Sequence, residues 1–151
     1  MLQFYKPNFN KTLWISSDFH AYHKNLCTGS SSWSDKSGCR DFSNQYIMTD
    51  YIVDNINRLI QQQDILLFLG DWSFGGRENI FKFRERINCS NIHLILGNHD
   101  EHIQLDETAQ KLFTTVSHYN EFYFGKILRG LWFNVGHHNS LYLCQFYLHR
   151  L

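Results

Sequence analysis

The chain has 151 residues, enough for one domain that buries roughly 70% of the surface its unfolded form would expose. Its 43% hydrophobic, 17% aromatic and 19% charged residues describe a globular protein rather than a disordered one. Fourteen Lys and Arg balance fourteen Asp and Glu, so net charge gives no argument for a nucleic-acid or membrane partner, and the longest apolar run, Ile65 to Leu69, is far too short to span a bilayer.

In chain order, the first apolar run bounded by polar residues is Leu13 to Ile15, which reads as a short buried strand. The segment Cys27 to Cys39, CTGSSSWSDKSGC, has no period. Its Ser and Gly content predicts a mobile surface loop, placed soon enough after the first strand to border a site. Ile47, Tyr51, Ile52, Ile56, Leu59 and Ile60 then recur at three- and four-residue spacing and predict a helix of about five turns, capped by Ser43. A second buried strand is expected at Ile65 to Leu69, a shorter helix through Ile80, Phe83, Arg84 and Ile87, a third strand at Ile92 to Leu96, and another helix through Leu105, Ala109, Leu112 and Phe113. From Val116 onward, NEFYFG, GLWFNV and LYLCQFYL, separated by Gly and by the turn-like GHHNS, read as hairpin strands. The whole, residues 1–151, is expected to form a single α/β domain.

Cys27, Cys39, Cys89 and Cys144 show no short metal-type spacing, and the N-terminus has no charged segment followed by an apolar one. A reduced, cytoplasmic chain is the expectation, with a Cys27–Cys39 bridge the alternative in an oxidising compartment.

Each of the three expected strands ends in polar residues: Asp18-Phe19-His20, then Gly70-Asp71-Trp72, then Gly97-Asn98-His99-Asp100. In a parallel sheet these ends emerge at one edge, where open α/β proteins place their ligands. Singly, each has an ordinary explanation: Asp18 or Asp71 as a cap, Asn98 as a left-handed turn residue, His20 as a surface histidine. Together they are a donor set. Carboxylate, imidazole and amide oxygen suit divalent manganese, iron, nickel or zinc, an Asp-x-His pair gives two ligands from one turn, and a carboxylate such as Asp71 can bridge two ions.

These blocks, in this order, resemble the calcineurin-like metallophosphoesterases, whose pattern is Asp-x-His, Gly-Asp, Gly-Asn-His-Asp/Glu, a lone His after a strand, and finally Gly-His-x-His. The compact bacterial and phage members are the most similar, through SSDFHAYHKN, LGDWSFG and CRDFSN. The resemblance implies a metallophosphoesterase-like β-sandwich flanked by helices (α/β/β/α). It implies that Asp18 and His20 bind one metal, that Asp71 bridges two, and that Asn98 binds the second. His99 would stand beside the phosphate as general acid or as stabiliser of transition-state charge, and Asp100 would orient a histidine. The Gly before Asn98 would permit a tight turn. The implied reaction is hydrolysis of a phosphomonoester or phosphodiester by metal-bound hydroxide, with one or two Mn, Ni, Fe or Zn ions as cofactor. Arg40 and His23 are candidate phosphate contacts, since a guanidinium can grip two phosphate oxygens, with simple surface polarity the alternative.

The second half of the pattern departs from the family. Gln145, in LYLCQFYLHRL, stands where the metal-binding His is expected, as a weaker neutral donor, and the sequence ends at Leu151 before any Gly-His-x-His, so an incomplete C-terminal part and an incomplete second metal site are expected. Gly136-His137-His138-Asn139 precedes that strand and reads as a turn; His118, His137, His138 or His149 remain candidates to fill the gap. Two function classes follow: a metal-dependent phosphoesterase acting on a phosphate-ester substrate, nucleotides among the candidates, or a catalytically impaired phosphoesterase-like binding or interaction protein with one metal or none. An exposed sheet edge would favour a homo-oligomer.

Overall fold

The computed structural model describes residues 2–4, 11–123 and 132–136, with side chains described from 11 to 120. Its elements are strand β1 (Leu2–Phe4), β2 (Leu13–Ser16), helix α1 (Gln45–Leu59), β3 (Ile65–Phe68), α2 (Arg77–Glu85), β4 (Asn91–Ile95), α3 (Glu101–Gln104), α4 (Glu107–Gln110), β5 (Thr115–Ser117), β6 (Tyr119–Tyr123) and β7 (Trp132–Gly136). The three apolar runs become β2, β3 and β4 and pair in parallel, Leu13 opposite Ile65 and Ile65 opposite Asn91. A fourth parallel strand, β5, extends the sheet in the order β2-β3-β4-β5, with His93 opposite Thr115. Thr-Val-Ser lacks the apolar run that marks the other three, and the sequence reading had merged it with the hairpin region.

The expected hairpin pairing is present between β6 and β7, which run antiparallel with Tyr119 opposite Gly136. The N-terminal β1 adds a parallel strand on β6, giving a second sheet in the order β1-β6-β7. The LYLCQFYL segment lies outside the described residues. Among the described residues no helix is long and apolar enough to cross a membrane.

Alternation along each strand of the four-stranded sheet sends side chains to two buried faces, as parallel sheets require. Leu66, Phe68, Ile92 and Leu94 meet Val53, Ile56 and Ile60 of and after α1 and Ile80, Phe83 and Ile87 of and after α2, with Trp72 and Phe113 in the same core. Leu13, Leu67 and Ile95 are buried on the opposite face. His93 occupies that second face, 2% exposed, with its Nδ1 2.8 Å from the Thr115 hydroxyl.

Two helix expectations are corrected. The cap of α1 is Asn44, not Ser43: its side-chain oxygen accepts from the Tyr46 and Ile47 N–H groups, leaving a 15-residue helix of about four turns. The helix expected through Leu105 and Phe113 is two single turns, because Asp106 takes an extended conformation and caps α4 by accepting from Thr108 and Ala109.

Candidate metal centre

The C-terminal ends of β2, β3 and β4 meet at one sheet edge, and past that edge the chain after β2 stays zipped to the chain after β3. The Asp18 N–H donates to the Gly70 carbonyl (2.9 Å), His20 N–H to Asp71 (2.9 Å) and Ala21 N–H to Trp72 (3.2 Å), while Phe74 N–H returns a bond to Ala21 (2.8 Å). Along this zipped segment Asp18, His20 and Asp71 all hold positive φ, at 55°, 48° and 62°. Left-handed backbone is costly for residues with a β-carbon, and it concentrates where function sets the geometry.

Its consequence is convergence. One ligand atom each from Asp18, His20 and Asp71 lie within 4.8 Å of one another. The His20 Nε2 is 3.5 Å from Asp18 Oδ1 and 3.5 Å from Asp71 Oδ2, longer than a good hydrogen bond. Donors that share an ion at about 2.0–2.2 Å sit roughly 3 to 4.5 Å apart, so the spacing fits a common cation better than mutual hydrogen bonding. Burial, reinforced by the nearby Arg40 charge and opposed by Asp18, lowers the His20 pKa to about 4. The imidazole is therefore neutral near pH 7 and can offer a lone pair. Two carboxylates and a neutral imidazole are a donor set that fits a divalent transition metal.

Asp71, 3% exposed, divides its carboxylate between two directions: Oδ2 faces His20, while Oδ1 accepts the His99 backbone N–H at 3.0 Å. Gly97 is required by that arrangement. A β-carbon at Gly97 would fall 2.6 Å from the Asp71 backbone nitrogen and closer still to Oδ1. The expected tight turn is present, the Asp100 N–H donating to the Gly97 carbonyl at 3.4 Å, but Gly97 is absent from the positive-φ residues, so close approach to Asp71 is what demands a glycine.

Among the described residues the Asp100 carboxylate bonds to main chain rather than to a histidine: Oδ2 accepts from the Asp71 N–H (2.8 Å) and the Gly97 N–H (2.8 Å), and Oδ1 from the Trp72 N–H (2.9 Å). One buried carboxylate thus ties the β3 turn to the β4 turn and fixes Asp71 through its main chain. Burial pushes the Asp100 carboxyl above the usual carboxylate range, with those backbone bonds acting against the shift.

Arg40 supports the turn after β2. Its Nη1 donates to the Phe19 carbonyl (2.7 Å) and its Nη2 to the Asp18 carbonyl (2.6 Å), two acceptors that the zipped segment leaves over. In the structure its terminal nitrogens brace the metal-donor backbone. Asn98 and His99 stand exposed at the rim, the His99 ring centroid 5.6 Å from that of His20. His23 lies 5.9 Å from His20, and its Nδ1 accepts the Leu26 N–H at 3.0 Å. Gln145, His137, His138 and His149 lie outside the described residues, and His118, exposed just after β5, is not part of the close donor set.

Phe74 escaped the sequence reading. Its ring contacts His20, His23 and His99, with centroids 5.4, 3.8 and 4.8 Å away. The signal was present in the Ser-Phe-Gly that follows Gly-Asp-Trp.

The calcineurin-like phosphoesterase family pattern matches residues 11–149, spanning the β2, β3 and β4 ends that build this site. The chain belongs to the calcineurin-like phosphoesterase family. Among solved structures, this chain is similar to the protein of unknown function AQ665 from Aquifex aeolicus, with a TM-score of 0.53 and 20% identity over 77% of this chain. That likeness concerns the fold, and this chain spans 56% of the Aquifex chain. No curated protein matches it. The parallel sheet with helices against it and a second sheet is the architecture expected for a calcineurin-like phosphoesterase.

Proposed function

We propose that the chain hydrolyses phosphate esters with a divalent metal held by Asp18, His20 and Asp71. The observation that carries this reading is the convergence of those three donors within 4.8 Å at the ends of adjacent parallel strands. When bound, such a metal supplies Lewis-acid charge for the phosphoryl oxygens and lowers the pKa of water. Asp71, with one oxygen toward His20 and the other toward the Asn98-His99 turn, would be the residue shared with a second cation, for which Asn98 and Gln145 are the candidate donors. The exposed His99 imidazole is the group to hold or give a proton at the ester's leaving oxygen. Arg40 and Asp100 fix the main chain from which Asp18 and Asp71 project.

The alternative is a phosphate-ester binder without turnover. It is favoured by the donor count, since among the described residues Asp18, His20 and Asp71 are the one close cluster of three His, Cys, Asp or Glu donors. One experiment separates the two. The metal-stripped chain is assayed on aryl phosphomonoesters and diesters with manganese restored, alongside His99→Ala. Manganese-dependent turnover, falling roughly 10²- to 10⁴-fold in His99→Ala while bound metal is unchanged, supports hydrolysis with His99 as general acid. Metal binding without turnover in the parent chain supports the binder.

A further inference from the structure

Beyond the donor set, the rim of the site is lined by rings in a row. From His20 the next ring is His23, 5.9 Å away, and from His23 the next is Trp33, 5.8 Å away with its plane at 53°. Phe74 packs edge-on against His23 at 3.8 Å and keeps that imidazole in place. Trp33 is 45% exposed, an unusual position for an indole in a loop otherwise made, between its two cysteines, of Ser, Thr, Gly, Asp and Lys.

The loop that carries Trp33, expected from its composition to be mobile, makes side-chain hydrogen bonds that tie it to the turn before it. The Asn25 side-chain oxygen accepts from both the backbone N–H (3.1 Å) and the hydroxyl (3.0 Å) of Ser32, and Ser31 Oγ accepts the Trp33 N–H at 3.2 Å. Ser30 Oγ donates to the Lys24 carbonyl and Lys36 Nζ to that of Thr28. Asn25 itself sits in the short 3-10 turn Lys24–Leu26, whose cap is His23. The exposed indole is thereby held at a fixed offset from His23. Because His23 Nδ1 accepts a backbone N–H, its ring proton is assigned to Nε2, which makes that atom a donor.

We infer that Trp33, one imidazole beyond the metal donors, is a stacking platform for a planar ring on the alcohol side of the ester, so that the substrate class is a phosphoester whose alcohol carries a nucleobase or an aryl group on a short spacer. The inference rests on the phosphoesterase reading of Asp18, His20 and Asp71. With phosphorus at the donors and His99, an alcohol directed past His23 brings a ring to the open face of Trp33. A small aliphatic alcohol stops short of it. Base–aromatic stacking tolerates any planar ring, so the platform sets class rather than identity.

The test is calorimetric binding of non-hydrolysable phosphonates to the manganese-loaded chain, which is independent of turnover. The probes are methylphosphonate, phenylbutylphosphonate and the phosphonate analogue of AMP, each titrated into the parent, Trp33→Phe and Trp33→Leu. The expected result is roughly tenfold tighter binding of a ring-bearing probe than of methylphosphonate, within the range stacking supplies. That preference should persist in Trp33→Phe and vanish in Trp33→Leu, while methylphosphonate binds all three alike. Which ring-bearing probe gains most tells nucleoside from aryl. Equal affinity for all probes in the parent, or a preference that survives Trp33→Leu, overturns the platform alone. Failure of every phosphonate to bind overturns the phosphoester reading and the platform with it.

Discussion

A β-carbon at residue 97 has nowhere to go, because Asp71 lies directly against that position. Gly97→Ala should therefore displace the Asp71 turn, at about 1–3 kcal/mol by the usual magnitude of overpacking, and weaken manganese affinity; denaturant melts and metal titration read the two effects. Asp100→Asn should act through the same turn. A single amide oxygen cannot accept the N–H groups of Asp71, Trp72 and Gly97 as two carboxylate oxygens do, so a loss of roughly 2–4 kcal/mol and weaker metal binding are expected, with the fold otherwise retained. Metal affinity unchanged in Asp100→Asn would show that the turn is held by other means. At this scale the sequence displayed which residues gather, but not how. The gathering of Asp18, His20 and Asp71, with the His99 ring beside His20, was legible because such residue types at successive strand ends have no common structural purpose. The duties of Asp100, Arg40 and Gly97 are contacts with main chain 20 to 30 residues away, and no local pattern encodes such contacts.

Among elements, β2, β3 and β4 were legible as apolar runs, since a strand buried on both faces has no polar side to alternate. β5 was not, because three residues at a sheet edge carry too little pattern. The division of α3 from α4 was missed because a periodic apolar spacing does not reveal that Asp106 caps a fresh turn. β4 also holds a titratable group, since burial lowers the His93 pKa to about 4. Between that value and the ordinary 6.5 the unfolded chain binds a proton that the folded chain refuses, so stability is full above pH 6.5 and declines as pH falls through that window. The decline attributable to His93 is about 3 kcal/mol by pH 4, with each pKa unit worth 1.36 kcal/mol. His20 and His23, lowered likewise by burial, add to the decline in the same direction. In chelator, urea melts at pH 7 and pH 4.5 should show a smaller pH-dependent loss for His93→Gln than for the parent. An identical loss would assign the acid sensitivity to other groups.

For the whole molecule, the four parallel strands place three successive strand ends at one sheet edge, and the candidate donors Asp18, His20 and Asp71 follow the first two of them. The position of the site thus follows from topology. Chelation should remove the donors' shared cation without unfolding a sheet whose core is apolar on both faces, leaving far-ultraviolet dichroism unchanged while activity is lost. The central claim is that Asp18, His20 and Asp71 form one metal site that drives ester hydrolysis. It is tested most directly by titrating manganese into the metal-stripped parent and Asp71→Asn and following aryl phosphodiester hydrolysis in the same samples. Saturable metal binding with parallel gain of activity is expected in the parent, and loss of both in folded Asp71→Asn. Parent-level metal binding and turnover in Asp71→Asn would contradict that claim.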